Sequence, residues 1–249
     1  TEQKRSFIDR CQSALRLIEY LQNRNLTSVV KPEMPPAPPK THIPHAFSEE
    51  ELCRFFSRCD ENVKTARDQS SRFIALSASV EFRLLYSSGM RPTETRLLRT
   101  ENVDLARGII NVKETKGNQQ HYVALHDDAI QLLRDYDAVA SKRFPSRIIF
   151  FPMNSKNPDM PISPDMLDYH FHKVWDKVNG SSAVPYDFRH NYAIENINSW
   201  INSGFEFHDK LVFLSKSMGH TSLESTKYYY SIVPALADIL QKTTEAGFD

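Results

Sequence analysis

Residues 31–44 read KPEMPPAPPKTHIP and contain six prolines in fourteen positions. Proline has a fixed φ and no backbone N–H, so such a run cannot continue a helix or pair inside a sheet. It favours extended polyproline geometry, which makes a semi-rigid spacer. The stretch therefore predicts a linker at 32–45, between a short segment at 1–31 and a larger domain at 46–249.

The segment before the linker carries apolar residues at helical spacing. Among them are Phe7, Ile8, Leu15, Ile18 and Leu21, which predict one amphipathic helix. A single helix cannot bury its own apolar stripe, so this helix needs a partner that the sequence does not contain.

The larger domain has the pattern of a mainly α protein with a small antiparallel β-sheet. Ser48 and Glu51 have the spacing of a capping box, and Gly89 is placed to end a long helix. The stretch from Gly108 to Leu125 predicts two strands, 109–113 and 120–125, around a turn. Further elements are predicted as helices at 127–143, 163–178, 187–202, 207–218, 222–230 and 234–244, with a strand at 147–151.

The composition is that of an ordinary globular protein, with 40% hydrophobic and 25% charged residues. The 31 basic and 31 acidic residues leave no net charge, which argues mildly against a nucleic-acid partner. One basic face can be balanced elsewhere, so the placement of particular arginines decides more than their number. Three cysteines form no CxxC pair and predict reduced thiols in a cytoplasm.

Five side chains of the larger domain together suit phosphoryl transfer without a metal. They are two arginines (Arg91 and Arg189), a lysine (Lys116), a histidine (His220) and one of the three consecutive tyrosines at 228–230. Guanidinium groups bind phosphate oxygens in a bidentate manner and stabilise transition-state charge. A lysine can protonate a departing alkoxide, and a tyrosine oxygen can attack phosphorus.

Each of these residues also has an ordinary interpretation when it is considered alone. Arg91 suits a solvated surface, and Lys116 suits any hairpin turn. His220 suits a helix C-terminal cap, and tyrosines are common in cores. Adjacent helical residues point about 100° apart, so at most one of the three tyrosines can occupy a given site.

Four segments, in their order and wording, resemble the tyrosine recombinase (phage integrase) family over about residues 45–245. The family's first arginine box resembles SSGMRPTETRLL, which implies Arg91 as a catalytic arginine and Glu94 as its acidic companion. The family's lysine-bearing β-hairpin resembles TKGNQQHYVAL, which implies Lys116 as the catalytic lysine.

The other two segments resemble the second half of the family's site. The second arginine box resembles DFRHNYA, which implies Arg189 as catalytic and His190 as phosphate support. The final box resembles MGHTSLESTKYYYSI, with His220 as its histidine. The family's spacing of nine residues from that histidine implies Tyr229 as the nucleophile.

One position departs from the family pattern. Three residues before Arg189 the family usually has histidine, or less often lysine, and this chain has Tyr186. Phenols ionise at too high a pH to act as general bases at neutrality. Tyr186 could instead donate a hydrogen bond to phosphate or orient the nucleophile. Either cleavage is slower, or another group accepts the proton of the nucleophile.

The resemblance implies a tyrosine recombinase catalytic fold and a site-specific DNA recombinase that acts through a 3′-phosphotyrosine intermediate, in the integration or excision of a mobile element or a similar role. Such a DNA strand transferase needs neither a cofactor nor a metal. Its partner would be double-stranded DNA, bound by a homotetramer whose subunits are monomers without DNA. Its location would be cytoplasmic and nucleoid-associated. Residues 1–31 would be the last helix of a truncated core-binding domain. The segment VPALADILQKTTEAGF would dock on a neighbouring subunit, or equally fold back on its own domain.

Two rival functions remain open on the sequence. A DNA-binding module of the same fold would have lost cleavage, with Tyr186 as a sign of the loss. A type IB topoisomerase-like enzyme would share the chemistry without exchanging DNA partners. A metalloenzyme is disfavoured, because His170 and His172 do not share a helical face and no HExxH motif is present.

Overall fold

The computed structural model describes residues 4–34, 36, 44–113, 120–153, 157–200 and 207–220. The chain divides into two compact units, Thr1–Ile43 and Pro44–Asp249. The described part of the first unit contains one helix, α1 (Lys4–Asn23). Within the described residues, no helix has the length and apolar character needed to span a membrane.

The second unit is mostly helical in the part of the chain that is described. Its helices are α2 (Glu49–Lys64), α3 (Gln69–Ser88), α4 (Pro92–Arg96), α5 (Asp127–Arg143), α6 (Pro164–Val178), α7 (Asp187–Ser199) and α8 (Phe207–Ser217). Its strands are β1 (Val103–Asp104), β2 (Ile109–Val112) and β3 (His121–Ala124). The predicted helices at 222–230 and 234–244 lie outside the described residues.

Local capping signals fix the ends of α2 and α3. The Ser48 hydroxyl accepts from the backbone N–H of Glu51, whose carboxylate accepts from the backbone N–H of Ser48, so the predicted capping box is present. The predicted helix end is also present, because Gly89 adopts φ 65° after α3. Left-handed backbone at a helix C-terminus favours glycine, which has no Cβ to clash.

The three strands form an antiparallel sheet in the order β1-β2-β3. The two predicted strands are present as β2 and β3, which pair Ile109 with Ala124 and Val112 with His121. The prediction of a strand at 147–151 was wrong. Ile149 makes only an isolated bridge, to Arg99, because the chain after Arg99 turns at once into a 3₁₀ helix and cannot continue a ladder.

An aromatic cluster joins α2, α3, α6 and α7. Phe55, Phe82, Phe171, Trp175 and Phe188 are all fully buried, and their ring centroids lie 5.1–6.5 Å apart where they pack. Packed aromatic pairs contribute beyond their buried area. Phe188 therefore anchors the first turn of α7, and the next residue along that turn belongs to the candidate site.

Replacing Gly89 with alanine should destabilise the protein by about 2 kcal/mol or more, because a Cβ there is strained at positive φ. It would also lie 2.3 Å from the Tyr192 ring. Gly180→Ala is the matched control, since a Cβ at Gly180 meets nothing within 4 Å. Urea unfolding of both variants measures the difference, and equal midpoints would contradict the expected strain.

Candidate functional site

The C-terminus of α8 forms a tight turn at the Gly-His pair. The backbone N–H of His220 donates to the carbonyl of Ser215 at 2.9 Å, and that of Gly219 to Lys216 at 3.0 Å. With Gly219 at φ 63°, these bonds form a Schellman motif, in which glycine supplies the left-handed residue. The motif turns the carbonyls of Met218 and Gly219 toward two arginines.

Arg189 is the buried centre of this site. Its side chain is in α7 and is only 1% exposed. Its Nη1 donates to the carbonyl of Gly89 at 2.7 Å, and its Nη2 donates to that of Met218 at 2.6 Å. Both carbonyls lie at helix C-termini, where the backbone carries partial negative charge. Arg189 thus ties the ends of α3 and α8 to α7.

Arg91 approaches the same turn from the start of α4. Its Nη2 donates to the carbonyl of Gly219 at 3.1 Å, and its Nη1 donates to Glu94 Oε1 at 2.5 Å. The other carboxylate oxygen of Glu94 accepts from the Arg91 backbone N–H at 2.8 Å. The Arg91 side chain is 21% exposed, whereas that of Glu94 is 1% exposed. Glu94 therefore binds Arg91 from the protein interior.

A buried contact between helices holds α4 in place. The Thr95 hydroxyl donates to Glu81 Oε1 on α3 at 3.0 Å. Burial raises the pKa of Glu81 to about 8, so this carboxyl is protonated at neutral pH and avoids the cost of burying a charge. The short helix that carries Arg91 is therefore fixed to the core.

His220 lies beside Arg189 and is neutral at pH 7. Burial, with the charges of Arg189 and Arg91 adding to it, lowers the pKa of His220 to about 4. Its Nε2 lies 2.9 Å from Arg189 Nη2. Arginine only donates, so Nε2 accepts and the proton is on Nδ1. Phosphate bound here would favour the charged imidazole and raise this pKa.

The Tyr186 side chain lies at the N-cap of α7 and is 41% exposed. Its ring packs edge-on against His190, with centroids 5.2 Å apart. Tyr186 is therefore accessible at the position where the family usually has histidine, and His190 supports the ring from the next turn of the helix.

The structure brings together Arg91, Glu94, Arg189 and His220 from three separate stretches of chain. Lys116 and Tyr229 lie outside the described residues, so their roles stay predictions. In the described ranges, no three His, Cys, Asp or Glu side chains are grouped as metal ligands.

Sequence reasoning missed His121, which contacts this site from β3. The sequence did contain a signal for it: in the strand that follows the predicted turn, side chains alternate between buried and exposed positions, and His121 takes a buried one. That position is ordinarily apolar, as it is at Val123, where the side chain is fully buried.

The mainly helical domain, its three-stranded sheet and its convergent arginines define the catalytic-domain fold of tyrosine recombinases. The model of the phage integrase family matches residues 46–234. The chain belongs to this family.

Relatives and solved structures agree with that assignment. Tyrosine recombinase XerC of Staphylococcus saprophyticus is 24% identical over 230 residues, covering 91% of this chain and 71% of the relative. A crystal structure of XerA recombinase has a TM-score of 0.60 at 19% identity, covering 83% of this chain and 66% of that one.

A further similar structure is the Tn1549 transposon integrase in complex with transposon right end DNA. Its TM-score is 0.59 at 12% identity, covering 92% of this chain and 75% of that one. The chain spans between 44% and 71% of the length of the curated relatives that it matches. At these identities the solved structures show the fold alone.

Lowering the pH should destabilise the protein partly through His220. Between about pH 6.5 and about pH 4 the unfolded chain binds a proton on this histidine that the folded chain does not. The free energy of unfolding therefore falls as the pH falls through this window. In His220→Gln the pH dependence should be shallower, as measured by urea unfolding at pH 7, 6 and 5. Equal slopes for the variant and the wild type would contradict the lowered pKa.

Proposed function

We propose that this protein is a site-specific DNA recombinase that cleaves and rejoins DNA through a 3′-phosphotyrosine intermediate. The proposal rests on two arginines that donate hydrogen bonds to adjacent backbone carbonyls beside His220. Arg189 donates to the carbonyl of Met218, and Arg91 donates to the carbonyl of Gly219. Two guanidinium groups fixed this close together form a site for one phosphate, because each can donate to non-bridging oxygens.

The chemistry would proceed by nucleophilic attack on a backbone phosphodiester. The Tyr229 hydroxyl releases its proton to water as its oxygen attacks phosphorus, and the bond from phosphorus to the 5′ oxygen breaks. Lys116 gives a proton to the departing 5′ oxygen, which leaves as a hydroxyl. Arg91, the more exposed arginine, contacts the phosphate first, and Arg189 and His220 complete the phosphate-binding site. A 5′-hydroxyl from another strand then attacks the phosphotyrosine and releases Tyr229.

This chemistry conserves the phosphodiester bond energy, so no nucleotide cofactor is required. The charge that develops on phosphate is balanced by the guanidinium groups, which perform the task that a metal ion performs elsewhere. The partner would be double-stranded DNA, held by a homotetramer in the cytoplasm. The Tn1549 integrase, of similar fold, is in complex with transposon DNA, which supports DNA as the substrate class.

Covalent capture tests the proposal directly. A pool of duplexes of random sequence, each with one nick, traps the adduct because the short cleaved strand diffuses away. The wild-type chain should form a protein–DNA adduct, and Tyr229→Phe should form none. Tyr228→Phe and Tyr230→Phe are matched controls that should retain it. Adduct formation that survives Tyr229→Phe would contradict the assigned nucleophile.

The exposed Tyr186 favours a second candidate, a DNA-binding module that no longer cleaves. Binding without any adduct at high protein concentration would support the module. Relaxation of a supercoiled plasmid without exchange between two sites would instead support a topoisomerase-like enzyme.

Replacing Tyr186 with histidine should accelerate cleavage by about tenfold or more, because imidazole is a better proton acceptor than a phenol at neutral pH. Single-turnover adduct formation measures the rate, and Tyr186→Phe gives the baseline for a side chain without a hydroxyl. A histidine variant no faster than the phenylalanine variant would mean that this position exchanges no proton.

A further inference from the structure

The buried histidine of β3 contacts both groups that hold the Arg91 guanidinium. His121 is the first residue of β3 and is 7% exposed. It follows the hairpin segment that carries Lys116 in the sequence. The neighbouring inward positions of the hairpin are apolar, as at Ile110 and Val123, so a polar ring at this place calls for a specific explanation.

The first contact is with Glu94. His121 Nε2 lies 3.9 Å from Glu94 Oε2, too far for a direct hydrogen bond but close enough for an electrostatic interaction in a buried site. The same carboxylate accepts from the Arg91 backbone N–H and from Arg91 Nη1. Any change in the direction of Glu94 would therefore also move Arg91.

The second contact is with Gly219. A Cβ built on Gly219 would lie 2.6 Å from His121 Nδ1, so the imidazole packs directly against the glycine backbone. The carbonyl of Gly219 accepts from Arg91 Nη2, and His220 is the next residue. His121 and His220 line the same surface groove, of about 530 Å³.

We infer that His121 is a positioning residue for the recombination reaction, acting through Glu94 and Gly219 to orient the Arg91 guanidinium toward phosphate. One imidazole touches the partner of Nη1 and the partner of Nη2, so it fixes both ends of the guanidinium fork. The inference rests on the proposed function and adds to it a role for the strand that follows the lysine-bearing turn.

Two substitutions separate polarity from volume. His121→Leu keeps a side chain of similar size but removes its polar nitrogens, and His121→Gln keeps an N–H donor. The probe is a nicked duplex recovered as an adduct with the wild-type chain. His121→Leu should slow single-turnover adduct formation by about tenfold or more, while the Kd for DNA changes less than about twofold. His121→Gln should recover part of the rate, and His126→Leu, at an exposed histidine, should cleave like the wild type.

A double-mutant cycle on the cleavage rate tests whether His121 acts on Arg91 through Glu94. If His121 acts on Arg91 by way of that carboxylate, His121→Leu should slow cleavage less in a Glu94→Gln background than in the wild type. A purely structural loss would instead give equal, independent effects in the two backgrounds.

A double-mutant cycle on thermal stability tests the contact between His121 and Gly219 without any DNA. Gly219→Ala forces a methyl group into the His121 ring, and His121→Ala removes that ring. The double variant should therefore have a higher Tm than the sum of the two single shifts predicts. An additive result would overturn the packing contact.

The outcomes distinguish the two proposals. Wild-type protein that forms no adduct at all overturns the recombinase function, and the positioning role falls with it. Wild-type adduct with His121→Leu cleaving within twofold of the wild-type rate overturns the positioning role alone. If a thermal melt shows that His121→Leu does not fold, His121→Met, which also lacks an N–H donor, takes its place: cleavage within twofold of the wild-type rate overturns the role.

Discussion

The site depends on the burial of one guanidinium among backbone carbonyls. Arg189 is almost wholly inside the protein and donates to Gly89 and Met218, which end two different helices. A buried charge is tolerated only when its donors are satisfied. The negative ends of the two helices supply that compensation, so the group that would bind phosphate also holds three chain segments together.

Two glycines make this arrangement sterically possible, and each meets two requirements at once. Gly89 and Gly219 both have positive φ, and each has an aromatic ring packed where a Cβ would stand, Tyr192 and His121 respectively. Each glycine therefore fixes both the backbone direction and the packing of a neighbouring ring. The two arginines, the carbonyls and His220 are joined by hydrogen bonds into one rigid group. In the proposed reaction, their relative positions would need little reorganisation as charge develops on phosphate.

Local signals in the sequence predicted the elements that short-range physics controls. The Ser48 capping box, the helix end at Gly89 and the β2–β3 hairpin depend on residues within a few positions of each other, and all three are present. The strand at 147–151 failed because its partner turns away after Arg99, which no local pattern reveals. His121 was missed because its importance comes from neighbours that are distant in the sequence.

The sequence by itself determined the family, the order of its boxes and the residue types that the chemistry needs, since these are contiguous strings. Only the tertiary structure decided that Arg189 is buried, that His220 is neutral with its proton on Nδ1, and that Arg91 reaches a carbonyl 128 residues away. Hydrogen bonds and pKa values depend on which groups the fold brings within a few ångströms, and that proximity is a property of the folded chain alone.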